Sequence, residues 1–120
     1  MKKLKVYEYS GCSTCKKALK FLDAKGVAYE KIDITTQPPT ASELKEMLAQ
    51  KGDIRKLFNT SGLVYKEMKL SEKLPGMSEK DALSLLAKFG RLVKRPFVLG
   101  GKWGTVGFKE DEWKKQLLDL

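Results

Sequence analysis

Residues 3–34 read KLKVYEYSGCSTCKKALKFLDAKGVAYEKIDI, with two apolar runs flanking a helical period. Leu4, Val6, Tyr7 and Tyr9 make Lys3–Tyr9 a short buried strand. Ser10-Gly11 breaks it. From Ser13 the period becomes helical, because Cys15, Ala18, Leu19 and Leu22 share one helix face. Lys25-Gly26 closes that helix, with Gly26 suited to a left-handed cap. Val27–Ile34 returns to strand character. Strand, helix and strand in so short a span predict a βαβ unit with parallel strands and a right-handed crossover.

Downstream the pattern changes. Gln37-Pro38-Pro39 is a stiff connector, and Thr40 with Glu43 forms a capping-box signature ahead of Leu44, Met47 and Leu48. A short helix is expected over Ile54–Phe58, a turn over Asn59–Gly62 and a solvated loop over Lys66–Lys73. Ser78 opens another helix, with Ala82, Leu85, Leu86 and Phe89 on one face. Sheet signals resume late. Arg95–Leu99 reads as a strand, Gly100-Gly101 as a tight hairpin turn and Trp103–Phe108 as its partner. Asp111–Leu120 closes as a helix carrying Trp113, Leu117 and Leu120. A βαβ half and a ββα half around one mixed sheet make an α/β protein of the thioredoxin-like layout. Residues 1–120 form a single domain, with 1–37 and 91–120 as its core and 38–90 as an inserted helical subdomain.

At 120 residues, 42% apolar and 32% charged, the chain can bury one core and is neither a disordered tail nor a collagen-like rod. No apolar run is long enough to span a membrane, and MKKLKVYEYS lacks the apolar segment of a signal peptide. A cytoplasmic monomer is expected. The formal charge of +9 comes mostly from lysine, since arginine occurs only at Arg55, Arg91 and Arg95. Scattered lysines read as a solvated surface, and no direct nucleic-acid contact is expected. Histidine is absent, which excludes Ser-His and Cys-His catalytic pairs. Cys12 and Cys15 cannot complete a four-ligand zinc site in one chain, so no metal is expected.

Those two cysteines carry the chemistry. C-x-x-C after a first strand, at the start of a helix, is the placement of a redox thiol pair. Unpaired N–H groups and the positive dipole end favour a thiolate at Cys12, making it the nucleophile. Cys15, about one turn on, can close a disulfide onto it. Ser13 and Thr14 are small and polar and leave the thiol approachable to substrate. Pro96 begins the strand after the helical part. It is either a cis-proline exposing the Arg95 backbone to an extended thiol substrate or an ordinary proline at a strand edge. Arg95 could stabilise the thiolate or bind an oxyanion or carboxylate, or it could lie on the surface.

Four segments in order carry a family resemblance: GCSTCKKA (11–18), FNTSGLVYKEM (58–68), LVKRPFVL (92–99) and VGFKEDEW (106–113). Together they resemble the ArsC/Spx family over essentially the whole chain, and most closely its short ArsC-like bacterial members. The resemblance implies a thioredoxin-like sheet with a helical insertion, a cis Pro96 and an Arg95 that faces the cysteine. It implies three candidate activities. The first is a glutaredoxin-like thiol–disulfide oxidoreductase, acting on glutathione mixed disulfides or protein disulfides. It has no bound cofactor, and glutathione or another low-molecular-weight thiol is its reductant. The second is a redox-switched regulator of the Spx/MgsR type that binds the C-terminal domain of the RNA polymerase α-subunit. Gly52 matches a polymerase-facing glycine of that branch, although it also ends a helix. The third is a glutaredoxin-coupled arsenate reductase. That branch holds its oxyanion with three arginines, of which Arg95 matches one. The others would fall near Phe58–Asn59 and in Val106-Gly107-Phe108, where no arginine occurs. Arg55 lies about one helical turn before the first of these.

Overall fold

The computed structural model describes residues 4–100 and 103–118, with side chains as far as Gln116. Leu4–Glu8 forms β1, an inner strand of the sheet, and four of its five residues are buried. Tyr29–Asp33 (β2) runs parallel to it in the register Leu4↔Tyr29 to Glu8↔Asp33. Phe97–Leu99 (β3) runs antiparallel on the other side, and Gly104–Val106 (β4) pairs antiparallel with β3. The mixed sheet has the order β2-β1-β3-β4. β2 is an edge strand and carries Glu30, Lys31 and Asp33, charges that discourage pairing with another chain.

Ser13–Ala24 is α1, the crossover of the βαβ unit. It ends as its sequence suggests. Gly26 takes φ +67°, its N–H donates to Asp23 O at 3.1 Å, and Val27 N–H donates to Leu22 O at 3.0 Å. That pair of bonds is a Schellman closure. Between β2 and β3 every element is helical. Ala41–Lys51 (α2) begins at the predicted capping box and ends at Gly52, which is left-handed at φ +79°. A 3₁₀ turn over Ile54–Leu57 follows. Glu79–Lys88 (α5) starts at Ser78, whose hydroxyl accepts the Asp81 N–H. Glu110–Leu118 (α6) closes the described chain.

Three expectations need correction. Lys66–Lys73 is not a solvated loop. It belongs to two short helices, Leu63–Glu67 (α3) and Leu70–Lys73 (α4), joined at a left-handed Lys69. Fully buried Leu70 and buried Tyr65 anchor them. Phe89 is not on the buried face of α5. It is the C-cap residue and is exposed, while Leu83 faces the core. The last antiparallel pair begins at Phe97 rather than Arg95, because Pro96 has no N–H to give to a ladder. Gly100 N–H donates to Trp103 O at 2.7 Å, so pairing runs one residue past β3. The Gly101 half of the predicted turn and the contacts of Leu117 and Leu120 lie outside the described residues and side chains.

Side chains alternate across the sheet and so divide the core in two. Tyr7 and Phe97 face α2, α5 and the short helices, in a cluster with Ile34, Leu44, Met47, Phe58 and Leu86. Leu4, Val6 and Val98 face Ala18, Phe21 and Leu22 of α1 and Trp113 of α6. Three layers result, with the sheet in the middle and the end of β1 opening onto the start of α1. Gly90 is needed where the helical part returns to the sheet, because a Cβ there would stand 1.8 Å from Ile34 O. No helix among the described residues is long and apolar enough to cross a membrane.

Candidate functional site

Cys12 is the N-cap of α1, with extended backbone at φ −95° and ψ 112°. Its N–H donates to Tyr9 O at 3.0 Å, which fixes the tight turn out of β1. Its Sγ accepts the Cys15 N–H at 3.2 Å, in the place an N-cap hydroxyl or carboxylate usually occupies. The sulfur therefore meets the unpaired N–H groups and positive end of the helix, where negative charge is favoured. Cys12 is half-buried, Cys15 is completely buried, and both are free thiols.

Burial pushes the Cys15 thiol up to about 12, and its contact with the Cys12 sulfur adds to the rise. A hydrogen bond with the Tyr9 backbone and the charge of Arg95 pull it the other way. The charge of Arg95 thus reaches the Cys15 thiol. The guanidinium lies over the Tyr9 ring, its Cζ 5.2 Å from the centroid. That ring in turn lies close against Gly11, where a Cβ would come within 2.7 Å of Tyr9 Cε2. A side chain at position 11 would therefore displace the Tyr9 ring on which Arg95 lies.

The Arg95–Pro96 peptide bond is cis. Pro96 is buried, and its carbonyl accepts the Gly107 N–H at 2.9 Å. The Arg95 backbone makes no hydrogen bond among the described residues.

A cleft of about 490 Å³ opens over Cys12. Cys12, Ser13 and Thr14 form one wall, from the start of α1. Asn59 and Ser61 come from the turn after the 3₁₀ segment, and Lys94 and Arg95 from the approach to β3. Val106 through Lys109 close it from the far end of β4. Three lining residues are cationic and none is acidic. Of the residues singled out from the sequence, Cys12, Ser13, Thr14 and Arg95 line the cleft, Cys15 lies buried next to Cys12, and Pro96 is not a lining residue.

The cleft also decides where the missing arginines would sit. Asn59 and Val106-Gly107-Phe108 are wall residues, so both gaps in the three-arginine set fall on the cleft itself. Arg55 does not fill one. It is exposed, ion-paired with Asp53 at 3.2 Å and absent from the lining. Arg91 is exposed and also absent from it. Gly52, matched to the polymerase-facing glycine, caps α2 and donates to Leu48 O at 2.7 Å. No group of three or more His, Cys, Asp or Glu that could hold a metal occurs among the described residues. Sequence reasoning missed Tyr9, Gly11, Asn59, Ser61, Lys94 and Lys109. Apart from Tyr9, all of them lie inside the four resemblance segments.

Comparison with known proteins agrees with this architecture. The ArsC family profile matches residues 7–116. The Bacillus subtilis protein YusI is 47% identical over 113 residues, covering 93% of this chain and 96% of that one. The Lactococcus lactis protein named global transcriptional regulator Spx 1 is 28% identical over 108 residues, or 89% of this chain and 83% of its own. The crystal structure of an ArsC family related protein from Bacteroides fragilis superposes with a TM-score of 0.90 at 46% identity, covering 95% of this chain and 97% of that one. With a thioredoxin-like sheet, a C-x-x-C at the start of α1 and a family match spanning nearly all its length, the chain belongs to the ArsC family.

Proposed function

We propose that this protein is a glutaredoxin-like thiol–disulfide oxidoreductase of the cytoplasm, acting as a monomer through the Cys12/Cys15 pair. The observation that carries the reading is the asymmetry of the two thiols. Cys12 sits at the helix start, on a cationic cleft, with its sulfur accepting the Cys15 N–H, while Cys15 is sealed beside it.

The Cys12 thiolate attacks one sulfur of a substrate disulfide RS–SR′. The S–S bond breaks, R′S⁻ leaves and takes a proton, and RS remains on Cys12 as a mixed disulfide. Bond formation at Cys12 removes its negative charge, so the repulsion that opposes a second charge on Cys15 disappears, while burial remains and Arg95 still pulls the other way. The Cys15 thiolate attacks Cys12 Sγ, RS⁻ leaves and is protonated, and a Cys12–Cys15 disulfide forms. Two electrons have passed from the dithiol to the substrate. Two equivalents of glutathione, or of another low-molecular-weight thiol, restore the dithiol and leave as their own disulfide. Ser13 and Thr14 bound the approach to Cys12. The free backbone of Arg95, preceding Pro96, offers an extended substrate a pairing edge.

The test is NADPH-coupled reduction of a glutathione mixed disulfide by wild type, Cys12→Ser and Cys15→Ser, with an arsenate lane alongside. Turnover is expected in wild type and lost in Cys12→Ser, and Cys15→Ser keeps only monothiol reactions. Turnover that persists in Cys12→Ser would overturn the reading. Arsenate turnover is not expected, since Arg95 is the one arginine lining the cleft.

Similarity to Spx 1 favours a second reading, a redox-switched regulator that binds the C-terminal domain of the RNA polymerase α-subunit. It is the better account if both thiols oxidise reversibly, no disulfide is turned over, and that domain is retained by one redox form only.

A further inference from the structure

We propose that Lys94 and Lys109 select low-molecular-weight disulfides bearing carboxylate or phosphate groups, holding those anions in the cleft that Cys12 lines. The inference rests on the oxidoreductase reading and names its substrate class.

Four observations carry it. Lys94 and Lys109 line the same cleft as Cys12, with Arg95 as a third cation and no carboxylate. Among the described residues neither lysine forms an ion pair or side-chain hydrogen bond. The arm of Lys94 is laid across Gly107, its Cε 3.1 Å from where a Cβ would stand, so the glycine makes room for it. More positive charge lies close by. Lys51 donates from Nζ to Thr105 Oγ1 at 2.9 Å, and Lys56 reaches the Lys51 carbonyl at 3.5 Å. Burial holds Lys51 below the ordinary lysine value. The charges of Lys56, Lys109 and Lys94 act in the same direction, against an opposing pull from Glu112. Lysines scattered along the sequence therefore converge at one end of the sheet, where a bound anion would relieve their mutual repulsion.

The size of the cleft favours a small molecule. About 490 Å³ lies within the roughly 300–1,000 Å³ of small-molecule sites. Asn59, Ser61, Ser13 and Thr14 add neutral hydrogen-bonding groups around the cations. A disulfide with an anionic tail could place its sulfur at Cys12 and its charge at the lysines.

The experiment measures the second-order rate of oxidation of fully reduced protein, followed by mass spectrometry, so that no coupling enzyme or reductant enters. Four substrates are compared: bis(2-hydroxyethyl) disulfide (neutral), glutathione disulfide (carboxylates), coenzyme A disulfide (phosphates) and an acidic peptide disulfide. Each rate is divided by that of a free small dithiol with the same substrate, which removes intrinsic reactivity. At low salt the small anionic disulfides should be favoured over the neutral one by about tenfold. The preference should fall to about threefold or less in Lys94→Gln/Lys109→Gln, and in wild type at about 0.5 M salt. It should persist in Arg91→Gln, which is outside the cleft. Preference for the glutathione or the coenzyme A arm identifies carboxylate or phosphate as the recognised group.

Equal normalised rates for all four substrates would overturn the inference and leave the oxidoreductase reading standing. So would a preference that survives both the double variant and salt, or an acidic peptide that outpaces both small anions more than tenfold. Failure of every disulfide to oxidise the protein would overturn both readings.

Discussion

The two thiols should differ in reactivity far more than their separation of three residues suggests. The perturbation is brief alkylation of the reduced, folded protein with iodoacetamide at pH 7.5. An ordinary cysteine thiol, at 9.0, is about 3% thiolate there, whereas a thiol at about 12 is about 0.003% ionised. Ionisation alone therefore makes Cys15 about a thousandfold slower than an unperturbed cysteine would be. Complete burial adds a steric barrier, since the reagent cannot reach a sulfur with no accessible surface. Peptide mapping by mass spectrometry at early times should find Cys12 modified and Cys15 untouched. In denaturant the two should label at similar rates. Labelling of Cys15 within about tenfold of Cys12 in the folded protein is the contrary result. It would mean that the burial which separates nucleophile from resolving thiol is absent in solution.

Other predictions test the frame around the thiols. Gly11→Ala drives a Cβ to 2.7 Å from the Tyr9 ring that carries Arg95. Cys12-dependent turnover should fall about tenfold, with little change in melting temperature. A large loss of stability with unchanged turnover per folded molecule would contradict that placement. Gly90→Ala sets a Cβ 1.8 Å from the Ile34 carbonyl oxygen. It should cost about 3 kcal/mol, read as a drop of roughly 10 °C in thermal melting. Glu43 accepts from Lys5 at 2.7 Å and from Tyr7 at 2.6 Å. Burial raises its carboxyl, but these bonds outweigh burial and hold it below the ordinary 4.5. The stability it contributes is therefore present above about pH 4.5 and is lost as pH falls through the lowered value. Glu43→Gln should cost about 1–2 kcal/mol at pH 7 by chemical denaturation, and the gap to wild type should close below that window. A gap that widens in acid would reverse the sign of this argument.

Local signals in the sequence translated directly into structure. Gly26, the Thr40–Glu43 box and Ser78 are decided by hydrogen bonds within a few residues, and each lies where its chemistry requires. The βαβ unit was legible because α1 is long enough to display a period. α3 and α4 were not, because helices of five and four residues complete barely one turn and each has a single well-buried anchor. Phe89 misled because its spacing continues the face of α5 one residue past the point where the helix stops. The site divided in the same way. Cys12 and Cys15 declare themselves by a short motif, and Arg95 by its place before proline. Lys94, Lys109, Asn59 and Ser61 are polar residues of ordinary type. Only tertiary packing brings the 59–62 turn and the two ends of the β3–β4 hairpin to the start of α1. Gly11 and Gly90 likewise gain their meaning from a ring and a carbonyl that approach from elsewhere.

The measurement closest to the central claim is intact mass after one equivalent of glutathione disulfide is added to the reduced protein. Wild type should lose two hydrogens and retain no glutathione, because Cys15 releases it from Cys12. Cys15→Ser should keep one glutathione, mapped to Cys12, and Cys12→Ser should remain unmodified. Stable glutathione on Cys15, or oxidation of Cys12→Ser at the wild-type rate, would contradict the assignment of nucleophile and resolving thiol.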